Sequence, residues 1–428
     1  MRMHLASSRR LRRLVRSVRA RRRGHARGEA RGWRRRSTGI LSTLIPLITN
    51  STTSVVAGIT LSSMTDAFHS VPGLLVIVPA AIGLRGNVFG ALGSRLSTSI
   101  HTGDFKLTFR SGSVLGDNLV AATLVTILGS VAVAIIGVAA AVVLGLGESL
   151  DPMRILVVSV VGGVVASSVV IVITVVLAER SVRYGWDLDN IAGPVVSTFG
   201  DVITLPSLWL AAALTGHRVS KIVAALATVV CVSWAVWSLV RTRRVRVLSI
   251  VRESLPVLTF AALVSTMAGV ILEARLAALA DAPALLVLVP SFVSSSGALG
   301  TVLAARVATS IHLGLVDVRP WPPVRVWRDV GRLGALALVV FSWNGVLSVG
   351  AAMAVYGSGA GDPGVIGSAV FGGYLLFGFV VAIAWLSSIA SARMNLDPDN
   401  YGTPVVTSSV DFVGAAVLVL VASLLGVV

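Results

Sequence analysis

The chain has 428 residues, 55% of them hydrophobic and only 13% charged, with a mean hydropathy of +0.88. A soluble domain carries about 25% charged residues, so these values exclude a soluble globular class, along with disorder, a collagen-like fibre and a disulfide scaffold. The formal net charge of +17 is uneven: residues 1–36 hold 15 Arg and one Glu, or +14, and the remaining 21 basic and 18 acidic residues give +3.

Residues 1–38 therefore read as a basic cytoplasmic tail. It lacks the apolar core of a signal peptide. Its arginines suit anionic lipid headgroups, at about 1 kcal/mol per Arg near the surface, or they form a solvated tail without a partner. Nucleic acid is not expected. Beyond the tail, eleven runs are long and apolar enough to span a bilayer. They lie at about 41–64, 73–100, 118–146, 154–178, 191–213, 221–240, 254–273, 283–311, 333–356, 364–389 and 402–427. With no water at the bilayer core, each is expected to be helical. The single cysteine, Cys231, falls inside one run, which leaves no disulfide framework and no multi-Cys zinc site.

Lys and Arg cluster in alternate loops, including Lys106, Arg110, Arg180, Arg183, the set from Arg241 to Arg252, Arg319 to Arg332, and Arg393. By the positive-inside rule these loops face the cytoplasm. The N-terminus is then cytoplasmic and the C-terminus outside, in a plasma (inner) membrane protein.

Two blocks recur. Residues 78–103 and 289–314 share 10 of 26 positions at an offset of 211, among them Pro79/Pro290, Gly86/Gly297, Arg95/Arg306 and the string TSIH. Residues 187–202 and 397–412 share 7 of 16 at an offset of 210, among them Asn190/Asn400, Pro194/Pro404 and Asp201/Asp411. The expected fold is an all-α membrane protein of two parallel five-helix repeats joined by a linker transmembrane helix. Five is odd, so only the extra span makes the repeats parallel, related by an axis along the membrane normal. The expected domains are 39–215, a linker with its basic loop at 216–247, and 248–428. The chain would act as a monomer with an internal pseudo-dimer.

Of the 19 acidic residues, only Asp201 and Asp411 lie deep inside predicted spans. An intramembrane carboxylate is expensive and marks a functional site by default. On the same helical face stand Ser197, Pro194 and Asn190, and in the second repeat Thr407, Pro404 and Asn400. The two prolines are expected to free backbone carbonyls toward a pore. Asp187, Asp189, Asp397 and Asp399 form either an acidic inner mouth or ordinary helix caps. Asn87 is a further candidate ligand, although its counterpart is Ala298. Arg95 and Arg306 read as ion-pair partners or as residues reaching the headgroups.

All these ligands are hard oxygens, which suit Mg²⁺, Mn²⁺ or Ca²⁺. Two carboxylates with neutral oxygens fit a largely hydrated Mg²⁺ best. The expected site is thus Asp201, Asp411, Ser197, Thr407, Asn87, Asn190 and Asn400, with Mg²⁺ as the transported ion, Mn²⁺ or Co²⁺ as alternatives, and no organic cofactor. An alternative is a proton-coupled transporter of another small solute, with the same aspartates as proton relays. A membrane scaffold acting through its Arg tail is a third reading. No HExxH, GxSxG or Walker motif is present. The contexts FGDV and SVDF differ from those of aspartyl intramembrane proteases, so no enzyme is expected.

These motifs resemble the membrane domain of the MgtE family of magnesium transporters, and more closely its duplicated branch, solute carrier family 41. The likeness rests on Pro79, Gly86 and Asn87, on SRLST at 94–98, and on DNIAGPVVSTFGD at 189–201. In the second half it rests on ARVATSIHLG and DNYGTPVVTSSVD. It extends over residues 41–428. The resemblance implies a pair of five-span units within one chain, and it implies that Asp201 and Asp411 match the family's pore carboxylate. The family's cytosolic magnesium-sensing domains are not expected here. Ser294 and Ala298 depart from the Gly and Asn of the first half.

Overall fold

The computed structural model describes residues 40–145, 150–184, 188–318, 321–394 and 401–428; the basic tail and the acidic residues Asp187, Asp397 and Asp399 lie outside them. The described residues form helices joined by loops, with no strand among them. The first repeat comprises α1 (Ile40–Ser62), α2 (Thr65–Ser70), α3 (Leu74–His101), α4 (Val114–Val143), α5 (Pro152–Tyr184) and α6 (Leu188–Leu214). The linker is α7 (Arg218–Arg241). The second repeat comprises α8 (Val245–Glu273), α9 (Leu276–Asp281), α10 (Pro283–His312), α11 (Val324–Tyr356), α12 (Gly364–Met394) and α13 (Thr403–Leu424). Among the described residues ten helices are long and apolar enough to cross a membrane, and α6 adds a shorter apolar stretch, Thr198–Leu214.

Several helices outrun their apolar runs. α5 and α11 have 33 residues each, or about 50 Å at 1.5 Å per residue, against a hydrocarbon core of about 30 Å. Arg180, Arg183, Arg246, Arg252, Arg325, Arg328 and Arg332, expected in loops, are therefore on helical extensions. Apolarity marks only the lipid-immersed part of a helix, and the backbone ladder continues into the headgroup layer. The short helices α2 and α9 are also not evident from hydropathy. They occupy equivalent positions, 65–70 and 276–281, at the same offset of 211.

The first helix of each repeat packs against the other repeat. α1 lies on α10, and reciprocally α8 lies on α3. Both crossings depend on a glycine. A Cβ on Gly58 would stand 2.0 Å from the Val287 carbonyl oxygen, and one on Gly269 would stand 2.1 Å from that of Val76. Residue 58 corresponds to 269 and residue 76 to 287, so one contact is made twice. Lipid tails are as apolar as Leu, so helices associate in a membrane by close backbone approach, which small residues permit.

Polar contacts fix α1 further. Ser51 Oγ donates to Asn344 Oδ1 on α11, Asn344 Nδ2 donates to the Ser291 carbonyl at 3.1 Å, and Trp343 Nε1 donates to Thr52 Oγ1 at 3.0 Å. The linker α7 sits at the periphery against α4, α5 and α6. Its outer face, including Val219, Ile222, Val230 and Trp237, is exposed, as a lipid-facing helix requires. Arg244, just beyond it, pairs with buried Asp117 at the start of α4, Nη1 to Oδ1 3.0 Å.

Candidate functional site

Asp201 lies at the centre of α6, thirteen residues from each end (188 to 201, 201 to 214). Asp411 lies near the middle of the 22-residue α13. Both line one cavity of about 770 Å³ between the repeats, walled by α1, α3, α8, α10 and the two acid-bearing helices. Asn87 and Thr407 line it too. Thr407 Oγ1 donates to the carbonyls of Thr403 at 3.1 Å and Pro404 at 3.2 Å, which leaves its lone pairs available. The side chains of Asn190, Pro194 and Ser197, and all of Asn400, lie outside the described residues.

Each carboxylate is held by a serine of its own repeat. Ser54 Oγ on α1 donates to Asp201 Oδ2 at 3.2 Å, and Ser265 Oγ on α8 donates to Asp411 Oδ2 at 2.7 Å. Ser54 and Ser265 are equivalent at the 211 offset. The first helix of each repeat thus crosses to the other repeat yet still carries the hydroxyl that orients its own acid. Asp201 has a second donor from the opposite repeat: Ser294 Oγ on α10, at 3.0 Å. Asn50 Nδ2 donates in turn to Ser294 Oγ, also at 3.0 Å. Asp201 is 6% exposed, so this net of neutral donors replaces water around its charge. Among the described residues no group of three or more His, Cys, Asp or Glu converges; the site consists of two carboxylates among hydroxyls and amides.

Pro404 stands in the first turn of α13, directly after a helical turn at 401–402, and residue 400, whose carbonyl it is expected to free, lies outside the described residues. Pro79 and Pro290, inside α3 and α10, remove an N–H mid-helix and line the cavity. Arg95 and Arg306 also border the cavity, and both bond neutral groups: Arg95 Nε to Asn118 Oδ1 and Arg306 Nη2 to Thr43 Oγ1, each at 2.9 Å.

Sequence reasoning does not single out Arg85, although an Arg within an apolar span is itself the signal. Its side chain is 1% exposed. The guanidinium donates to the Ala81 carbonyl and, at 3.3 Å, to Ser130 Oγ. Gly163 makes room for it, since a Cβ there would stand 2.3 Å from Nη2. Ser54 and Ser265 are not singled out either, and Ser294 stands out only as a departure from the Gly of the first half. In a membrane helix most Ser hydroxyls bond their own backbone, as Ser296 does to the Phe292 carbonyl, and hydropathy does not separate the two uses.

The bundle of long apolar helices, with two carboxylates in a largely apolar cavity between its repeats, defines an integral membrane protein. A model of the MgtE family, described as divalent cation transporter, matches residues 78–211 and 289–421. The two matches repeat at the internal offset and together cover more than half of the chain, which belongs to the MgtE divalent cation transporter family. Solute carrier family 41 member 2 of Mus musculus is 26% identical over 413 residues, covering 90% of this chain and 70% of the relative. Solute carrier family 41 member 3 of Rattus norvegicus is 24% identical over 421 residues, covering 88% and 85%. No solved structure matches.

Proposed function

We propose that the transported cation is Mg²⁺ and that it passes between the repeats with Asp201 and Asp411 as its charged ligands. The observation that carries this reading is that two mid-membrane carboxylates from equivalent helices line one cavity walled by both repeats. Two like charges in one low-dielectric cavity repel, and a divalent cation between them relieves that repulsion. The remaining oxygens, from Asn87, Thr407 and the serines, are hard and neutral. Mg²⁺ sheds water reluctantly and keeps several waters while bound through one or two carboxylates. At about 30 Å³ per water, the cavity exceeds the volume of one ion with six waters several-fold. On this reading the working units are residues 39–215 and 248–428, with 216–247 joining them. The sequence reading adds Asn190, Ser197 and Asn400 to the same path. The distribution of Lys and Arg supports a cytoplasmic N-terminus and an external C-terminus in the plasma (inner) membrane, and the Arg-rich tail suits its anionic lipids.

Competition in proteoliposomes tests the ion. Mg²⁺ entry, followed with a trapped indicator, is expected to be reduced by Mn²⁺ or Co²⁺ and unaffected by excess K⁺. Its rate is expected to survive collapse of the pH gradient. Flux that vanishes with the pH gradient, or a preference for another solute, would overturn the assignment.

A further inference from the structure

The two acids occupy equivalent frames with unequal donors. Asp201 Oδ2 accepts from two hydroxyls, Ser54 at 3.2 Å and Ser294 at 3.0 Å, with Asn50 bonded behind Ser294 at 3.0 Å. Asp411 Oδ2 accepts from Ser265 at 2.7 Å. The position that corresponds to Ser294 is Gly83, and the position that corresponds to Asn50 is Ala261. Gly83 does face Asp411: a Cβ there would stand 3.6 Å from Asp411 Oδ2 and 3.7 Å from Ser265 Oγ. Both are ordinary contact distances, so the place has room for a Cβ and holds none. Asp411 is also the more accessible of the two carboxylates, half-buried where Asp201 is buried.

A carboxylate offers about four lone-pair directions. Asp201 commits two of them, to donors on two different repeats, and cannot turn without breaking one. Asp411 commits one, to its own repeat, beside open space. We propose that Ser294 and Gly83 are positioning residues that divide the labour of the pair: Ser294 fixes Asp201 as a stationary ligand, and the bare backbone at Gly83 leaves Asp411 free to follow the cation. This rests on the assignment of both aspartates to the ion path. The division belongs to a duplicated chain, because two identical subunits would carry the same residue at both positions.

The test lengthens each acid in turn. Mg²⁺ flux in proteoliposomes is measured for Asp201→Glu and Asp411→Glu, each in the natural background and with Gly83 and Ser294 exchanged (Gly83→Ser with Ser294→Gly). Detergent-extracted yield and elution profile confirm that each variant is folded. In the natural background Asp411→Glu is expected to retain more flux than Asp201→Glu, by on the order of fivefold, the equivalent of one hydrogen bond. In the exchanged background the order is expected to invert. A merely structural role for the two residues would lower both fluxes together and leave their ratio unchanged. Should the exchanged protein not fold, Gly83→Ser alone is expected to bring the two Glu variants to equal flux. A ratio near one in the natural background, or a ratio indifferent to residues 83 and 294, would overturn the proposal and leave the ion path standing. Full flux in both Glu variants and in both Asp→Asn variants would remove the path itself, and the proposal with it.

Discussion

Where α1 crosses α10, Gly58 meets Val287, and where α8 crosses α3, Gly269 meets Val76. The cavity wall between those crossings is different. Ser294 corresponds to Gly83, Asn50 to Ala261 and Asn87 to Ala298. The crossings repeat because a pseudo-two-fold axis imposes one backbone geometry on both, and a backbone contact of 2 Å from a would-be Cβ tolerates glycine alone. The wall is under no such constraint. Once both halves belong to one chain, each side of the cavity can specialise while the shared frame keeps the two acids at matching heights.

The largest effect should come from breaking the repeated contact. Gly58→Leu and Gly269→Leu each force a side chain into the facing backbone. Both are expected to abolish recovery of folded protein, by at least about 3 kcal/mol of overpacking, and to do so alike. Thermal stability in detergent checks this, and a tolerated substitution at one site alone would show that the crossings are not equivalent.

A smaller effect probes what the linker adds to the first repeat only. Arg244→Ala leaves the Asp117 carboxylate buried, with the Gly112 N–H as its remaining donor at 3.1 Å. The expected loss is about 1–3 kcal/mol, read as a lowered melting temperature, and Asp117→Asn in the same protein should recover part of it. An unchanged melting temperature would mean that the pair contributes nothing.

Smallest is the pair between Asp151, before α5, and Lys221 on α7, Nζ to Oδ2 2.8 Å. The hydrogen bond from Lys221 lowers the Asp151 pKa from its ordinary value. A depressed carboxylate pKa stabilises the fold above the ordinary value, and that contribution is lost as pH falls through the folded value. Both side chains are more than a third exposed, so Lys221→Ala is expected to cost less than about 1 kcal/mol. The difference between wild type and variant should shrink below about pH 4. A difference that persists there would assign it to something other than this pair.

The same contrast explains what the sequence makes legible. The duplication shows as TSIH and DN…PVV at a fixed offset, and the two aspartates show as charges in apolar helices, because both signals are local. The exchange of α1 and α8 between repeats is not local: it is carried by Gly58 and Gly269, and glycines are common throughout the chain. The helix ends at Arg180 and Arg325 escape a reading by apolarity because helix and hydrocarbon layer end at different places. Ser54 and Ser294 need three dimensions, since a serine that orients a carboxylate on another helix has the same one-letter code as one bonded to its own turn.

The central claim is that a divalent cation crosses between the repeats at Asp201 and Asp411. The most direct measurement is Mg²⁺ flux into proteoliposomes for the wild type, Asp201→Ala and Asp411→Ala, with equal amounts of folded protein inserted. The account predicts robust flux for the wild type and background for both variants. Wild-type flux in either variant would contradict it.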